Sequence, residues 1–268
     1  MSAGLRYRWL VTDLDGTLVD RDLEIPARNV EAIDRYRAAG GTVVFATGRN
    51  EHSAARFHAQ LGLETPLILY NGARITNLAT GNRLLDLTLG DAWSAIRDQA
   101  VPLLPATVGA VAFQELDAYV VKPAPALTQY AARDQIELQT SSPPGSPTKL
   151  MLIAESPGDL TEVAELVTRS STAVRLVSSE KTYLEVLPAE ADKGSALAAL
   201  AASLGVPLDR VAAIGDNPND LELVQTAGLG AAAADGHPDL LRIADLVVTT
   251  CTQGAVADLI DNHLLRPT

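Results

Sequence analysis

Short apolar runs alternate with amphipathic stretches at both ends of this chain, and the middle breaks that rhythm. Trp9-Leu10-Val11 reads as a buried strand running into an acidic turn. Ile25-Pro26 opens a helix with proline where its missing N–H costs nothing; Val30 and Ile33 mark its buried face, and Gly40-Gly41 stops it. Residues 42–46, β-branched and apolar, read as a second buried strand. A helix over 51–61 ends at Gly62, and Leu67-Ile68-Leu69-Tyr70 reads as a third strand. Strand, helix, strand, helix, strand is the pattern of a parallel α/β sheet. It resumes at Lys193 with helices over 193–204, 221–226 and 255–264 and strands over 211–214 and 246–248.

Between these blocks the text changes. One amphipathic helix near 91–100, a loop rich in proline and serine (141–147), a helix over 158–169 and strands over 149–154, 173–177 and 183–187 suggest an α+β unit. The expected architecture is therefore α/β: a Rossmann-like parallel-sheet core from residues 1–77 and 189–268, split by an inserted α+β domain at 78–188.

Acidic residues exceed basic ones, 33 against 21, for a formal charge of −12. That balance speaks against nucleic acid as a partner, which would need a clustered basic face. It leaves room for a local phosphate site, because net charge says nothing about one pocket. The single cysteine, Cys251, excludes an internal disulfide framework and a cysteine-rich zinc site. No apolar run approaches a membrane span and the N-terminus lacks a signal-like stretch, so a cytoplasmic protein without a membrane partner is expected. His52, His58, His237 and His263 lack metal-ligand spacing and read as surface or packing residues. Gly228-Leu229-Gly230 follows a helix rather than a strand, so it reads as a turn into a strand and not as a dinucleotide fingerprint.

The strongest chemical signal is Asp13-Leu14-Asp15-Gly16-Thr17-Leu18. It follows the first strand directly, at the carboxyl edge where α/β sheets bind ligands. Two carboxylates so placed repel unless one takes a proton or a cation joins them. Magnesium, which prefers oxygen ligands, resolves the conflict, and Gly16 permits a tight turn. The spacing does not fit an EF-hand loop, because Thr17 and Leu18 fall where an acid or amide and a glycine are required.

This sequence resembles motif I of the haloacid dehalogenase superfamily. Ala46-Thr47-Gly48-Arg49 at the end of the second strand is similar to motif II, Asp192-Lys193-Gly194 at a helix start to motif III, and Gly215-Asp216-Asn217-Pro218-Asn219-Asp220 after a strand to motif IV. Tyr70-Asn71-Gly72-Ala73 and an insert between motifs II and III look like the Cof-type branch, subfamily IIB, with its C2B cap.

The resemblance implies a phosphatase hydrolysing a small phosphorylated metabolite, most readily a sugar phosphate, with Mg2+ as cofactor. It implies Asp13 as nucleophile and Asp15 as general acid and base. Thr47, Gly48, Arg49, Lys193 and Asn219 would contact phosphate or substrate; Arg49 reads equally as a surface partner of Glu51. Asp13, Asp216 and the main-chain carbonyl of Asp15 would hold the metal, with Asp220 supporting it or orienting Lys193. The insert would set substrate choice, with Lys122, Lys181 and Tyr183 as candidate contacts. Two other readings stay open at this level: a phosphomutase or phosphotransferase on the same fold, and a non-catalytic metabolite-binding module. The chain departs from the family at Asn217, where a small residue is usual, and at 231–237, where relatives carry a Gly-Asn-Ala turn.

Overall fold

A computed structural model describes residues 5–266. In chain order, β1 (Trp9–Thr12), α1 (Ala27–Ala38), β2 (Thr42–Phe45), α2 (Glu51–Gln60), β3 (Leu67–Leu69), β4 (Arg74–Thr76) and β5 (Arg83–Asp86) come first. Next are α3 (Asp91–Ala95), β6 (Val108–Gln114), β7 (Asp117–Lys122), α4 (Ala126–Asp134), β8 (Leu138–Gln139), β9 (Lys149–Ala154), α5 (Asp159–Ser170), β10 (Val174–Glu180) and β11 (Tyr183–Pro188). The chain closes through α6 (Lys193–Ser203), β12 (Val211–Gly215), α7 (Leu221–Thr226), β13 (Leu229–Ala233), α8 (Pro238–Ile243), β14 (Leu246–Val248) and α9 (Ala255–Leu259).

Two compact units result. The first holds residues 1–49, 54–85 and 192–268; the second holds 50–53 and 86–191. The expected division at residue 78 falls inside the β4–β5 hairpin, because β5 completes a three-stranded sheet with β3 and β4 in the first unit.

The first unit is built on a parallel sheet in the order β14-β13-β12-β1-β2. Successive side chains of a strand face opposite sides. Trp9 and Val11 of β1 therefore join Val44, Val211 and Ala213 against Ala196, Leu197 and Leu200 of α6 and Leu223 of α7. Leu10, Val43 and Phe45 alternate with them and are fully buried or nearly so. Because β1, β2 and β12 are parallel, their carboxyl ends lie at one edge, where the candidate site residues of the first unit cluster.

Leu67–Leu69 does not extend the parallel sheet as expected. It meets β2 through a single parallel bridge, Ala46 to Ile68, and pairs antiparallel with β4 instead. The backbone at Tyr70-Asn71-Gly72 takes positive φ angles and turns the chain back into the hairpin. The expected helix near 91–100 is regular only over Asp91–Ala95 and then widens into a π turn at Ile96–Ala100, ahead of Pro102. The closing helix does the same at Ile260–Leu264.

The second unit carries a six-stranded sheet in the order β10-β11-β9-β6-β7-β8, antiparallel except for the β7–β8 pair. Val108, Ala110, Ala112, Leu150, Leu152 and Val186 line one face and bury Trp93, Ile96, Val163 and Val167 from the α3 region and α5. Helix α4 covers the other face, where Leu127 packs onto Gly109. Among the described residues no helix is long and apolar enough to cross a membrane.

Candidate active site

Asp13 follows β1, and its amide still bonds to the Ile214 carbonyl of β12, so the sheet itself sets its position. The chain then turns sharply. The Leu14 carbonyl accepts from the amides of Thr17, Leu18 and Val19, and Gly16 donates to Val19. Gly16 has φ +86°, and a Cβ there would lie 2.5 Å from Asp216 Oδ2. Any other residue would meet both a disfavoured backbone and a collision with a carboxylate.

Lys193 is the first residue of α6 and is completely buried. Asp192 caps that helix, accepting from the Ser195 amide at 2.7 Å. The Lys193 Nζ donates to Asp13 Oδ1 and to Asp220 Oδ1, both at 2.6 Å. The other oxygen of Asp220 accepts the amides of Asp216 and Asn217 at 3.0 and 3.1 Å, so both of its oxygens are engaged. Thr17 Oγ1 donates to Asp216 Oδ1 at 2.7 Å.

One ammonium thus faces three carboxylates out of water. Burial alone would strip the Lys193 proton, but attraction to Asp13 and Asp220 outweighs it and raises the pKa. Burial raises Asp13 well above the usual carboxylate range; Lys193 opposes this, while Asp220, Asp216 and Asp15 add to it. Burial and the Asp220 charge push Asp216 up to about 7, against Thr17 and Lys193. The knot is short of positive charge. One carboxylate oxygen from each of Asp13, Asp216 and Asp220 lies within 4.8 Å of the others, a hard-oxygen set that suits a divalent cation.

Asp15 projects differently, with its side chain 49% exposed. Arg49 grips it at two points, Nε to Oδ2 at 2.7 Å and Nη2 to Oδ1 at 2.6 Å. The Arg49 guanidinium also lies 5.3 Å from the centre of the Phe57 ring. Thr47 is buried; its amide bonds to Ile68 and its hydroxyl accepts from the Arg49 amide at 3.1 Å. Gly48 lies against Asn71, whose oxygen accepts from Asn219 Nδ2 at 2.9 Å.

The fold therefore gathers Asp13, Asp15, Thr47, Gly48, Arg49, Lys193, Asp216, Asn219 and Asp220 at the sheet edge of the first unit. Sequence reasoning missed Thr17 as a support of Asp216, Asp192 as the cap behind Lys193, and the contact of Asn71 with Asn219. Asn71 entered only as part of the Tyr70-Asn71-Gly72-Ala73 motif; the available signal for a role of its own was an Asn that tolerates left-handed backbone at a strand end. The unusual 231–237 segment has a local purpose. The His237 amide bonds to the Asp216 carbonyl at 2.6 Å and Gly236 packs on the Asp216 backbone.

Outside this cluster, His58 is buried, its Nε2 2.9 Å from the Thr65 carbonyl and its ring edge-on to Phe45. Cys251 is buried, and burial pushes its thiol up to about 12. In the second unit, Lys122 differs from its expected role as a substrate contact. Its ammonium is spent on the carbonyls of Pro105 and Val108, at 2.5 and 2.8 Å. Tyr183 stacks edge-to-face with Tyr130 under the Arg133 guanidinium, and Lys181 is exposed in the β10–β11 turn.

The family model of haloacid dehalogenase-like hydrolases matches residues 10–260, and the chain belongs to that family. It is 30% identical to the 5-amino-6-(5-phospho-D-ribitylamino)uracil phosphatase YwtE of Bacillus subtilis, over 95% of this chain and 97% of that one. It is 28% identical to the HMP-PP phosphatase of Yersinia pseudotuberculosis, over 97% of each chain. The crystal structure of TM0651 from Thermotoga maritima superposes with a TM-score of 0.82 at 28% identity, covering 97% of this chain and 98% of that one. The expected class, a haloacid dehalogenase-type phosphatase with a parallel-sheet core and an additional sheet domain, is borne out.

Proposed function

We propose that the protein is a magnesium-dependent phosphatase that hydrolyses a small phosphorylated metabolite, a sugar phosphate or a close polyol relative, through an aspartyl-phosphate on Asp13. The buried Lys193 bridging Asp13 and Asp220 beside Asp216 carries this reading. A structural ion pair needs one carboxylate, whereas three converging on one ammonium make a site built for a cation and an anion together. The YwtE relative, by its name, acts on a phosphorylated ribityl chain, which supports the substrate class.

Asp13, Asp216 and the Asp15 carbonyl would hold magnesium, which when bound neutralises the phosphate and the acids around it. The Asp13 carboxylate attacks phosphorus, and the bond to the leaving oxygen breaks. Asp15 donates the proton that oxygen needs. Water then attacks the same phosphorus, Asp15 takes its proton, and the phosphorus–Asp13 bond breaks to return the carboxylate. Lys193 balances charge on Asp13 and the incoming phosphate, and Asp220 orients Lys193. Thr47, the Gly48 amide and Asn219 contact the phosphoryl oxygens. Arg49 keeps the exposed Asp15 carboxylate in a defined rotamer. The inserted second unit, residues 86–191, acts as a cap that sets substrate choice, with Lys181 and Tyr183 as its candidate contacts.

The test is phosphate release from a panel of sugar phosphates, nucleotides and an aryl phosphate, with magnesium and with chelator. Magnesium-dependent release strongest on a sugar or polyol phosphate supports the reading. Conversion of a sugar phosphate to its isomer without release would make the protein a mutase, and inertness on the whole panel would make it a binding module.

A further inference from the structure

Three consecutive residues, Tyr70, Asn71 and Gly72, have positive φ angles of 51°, 53° and 97°. Glycine adopts that region freely, asparagine tolerates it, and an aromatic residue there is a genuine outlier. Such a turn persists only where its surroundings over-determine it. Here they do. The Tyr70 amide bonds to the Arg49 carbonyl at 3.1 Å and the Asn71 amide to the Thr47 carbonyl at 3.0 Å. The fully buried Arg74 places its guanidinium 5.2 Å from the Tyr70 ring centre. Gly72 lies directly on the Asp192 carbonyl, so closely that a Cβ would collide with it. The turn is wedged between the Thr47-Gly48-Arg49 segment and the start of the helix that carries Lys193.

This strain has one visible product: it seats the Asn71 carboxamide between two proposed phosphate contacts. On one side a Cβ at Gly48 would lie 3.0 Å from Asn71 Nδ2. On the other side Asn71 Oδ1 accepts from Asn219 Nδ2 at 2.9 Å. Asn219 comes from the segment between β12 and α7, so this bond joins two loops far apart in sequence. A primary amide rotates easily about its terminal torsion, and one fixed hydrogen bond decides which way its oxygen and its second N–H point.

We infer that Asn71 is a positioning residue: it holds the Asn219 carboxamide in the rotamer that meets the substrate's phosphoryl group. The inference rests on the phosphatase reading and on Asn219 as a phosphate contact. Asn71 itself acts through Asn219 and through the close fit at Gly48.

The test is a double-mutant cycle in the full-length protein, with Asn71→Gly, Asn219→Ala and the pair, assayed with magnesium on a small aryl phosphate. Glycine suits the left-handed turn, so Asn71→Gly removes the carboxamide without disturbing the backbone. Asn71→Ser, too short to reach Asn219, repeats the cycle if the glycine variant folds poorly. Each single change is expected to lower kcat/KM by roughly tenfold, the size of one orienting hydrogen bond. The pair is expected to lose no more than Asn219→Ala alone, with thermal melting unchanged. Independent, multiplying losses, or full activity in Asn71→Gly, would overturn the inference. An Asn219→Ala variant with unchanged kinetics would instead remove Asn219 from the phosphate site, a failure of the underlying assignment that is visible separately.

Discussion

Arg49 holds both carboxylate oxygens of Asp15, at 2.7 and 2.6 Å, on a side chain that is half exposed. A two-point guanidinium fork fixes the plane of a carboxylate as well as its position, which a lysine ammonium cannot do. Arg49→Lys should therefore lower kcat by roughly tenfold while moving KM much less, because misorientation penalises proton transfer rather than binding. Steady-state kinetics on a sugar phosphate check it. An unchanged kcat with a raised KM would make Arg49 a substrate contact and not an orienter.

Lys193→Met removes the ammonium that faces the three buried carboxylates of Asp13, Asp216 and Asp220. Breaking a buried pair by deleting one partner costs about 3–5 kcal/mol, since the other charge stays behind. Urea denaturation should show a loss of that order and phosphate release should vanish. A variant as stable as the parent would mean that the carboxylates carry protons already.

Magnesium should raise the melting temperature of the parent protein, because a ligand bound only by the folded state stabilises it, by about 2.7 kcal/mol at a hundredfold excess over Kd. Asp216→Asn should abolish most of that shift, whereas Lys122→Met should leave it intact. The Lys122 ammonium serves two backbone carbonyls of the second unit, so its loss should appear as destabilisation with KM unchanged.

The alternating strands and helices were legible because the apolar runs of β1, β2 and β12 are buried on both faces and carry no competing pattern. Asp13, Lys193 and Asp216 were legible through the family resemblance, whose motifs stand here at strand ends and a helix start. The fate of Leu67–Leu69 was not, since an apolar run says nothing about which neighbour it pairs with; the Tyr70–Gly72 backbone decides that. Asn71 was hidden for the same reason. Its role depends on a partner 148 residues away and on a backbone conformation that the residue permits but does not announce. Lys122 misled because a lysine at the end of a strand looks free until the carbonyls that take it are seen.

His58 gives a pH prediction outside the site. Burial lowers its pKa, against the opposing pull of the Thr65 carbonyl, so the folded state keeps the ring neutral. Its contribution is present above the unfolded value of about 6.5 and is lost as pH falls through the depressed folded value. Stability of the parent should decline more steeply than that of His58→Gln on acidification below about pH 6.5. Denaturation midpoints from pH 8 down to pH 5 measure the difference, and parallel curves would contradict the assignment.

The aspartyl-phosphate is the centre of the account, and trapping it is the direct measurement. In Asp15→Asn an activated aryl phosphate needs little help from a general acid, so Asp13 can still be phosphorylated, while the water step loses its base and slows by ~10²–10⁴-fold. Rapid acid quench of this variant with magnesium and the aryl phosphate, followed by peptide mass spectrometry, should show one phosphoryl group on the peptide containing Asp13, labile to hydroxylamine. It should be absent in Asp13→Asn. A phosphoryl group on another residue, or turnover that persists in Asp13→Asn, would contradict the mechanism.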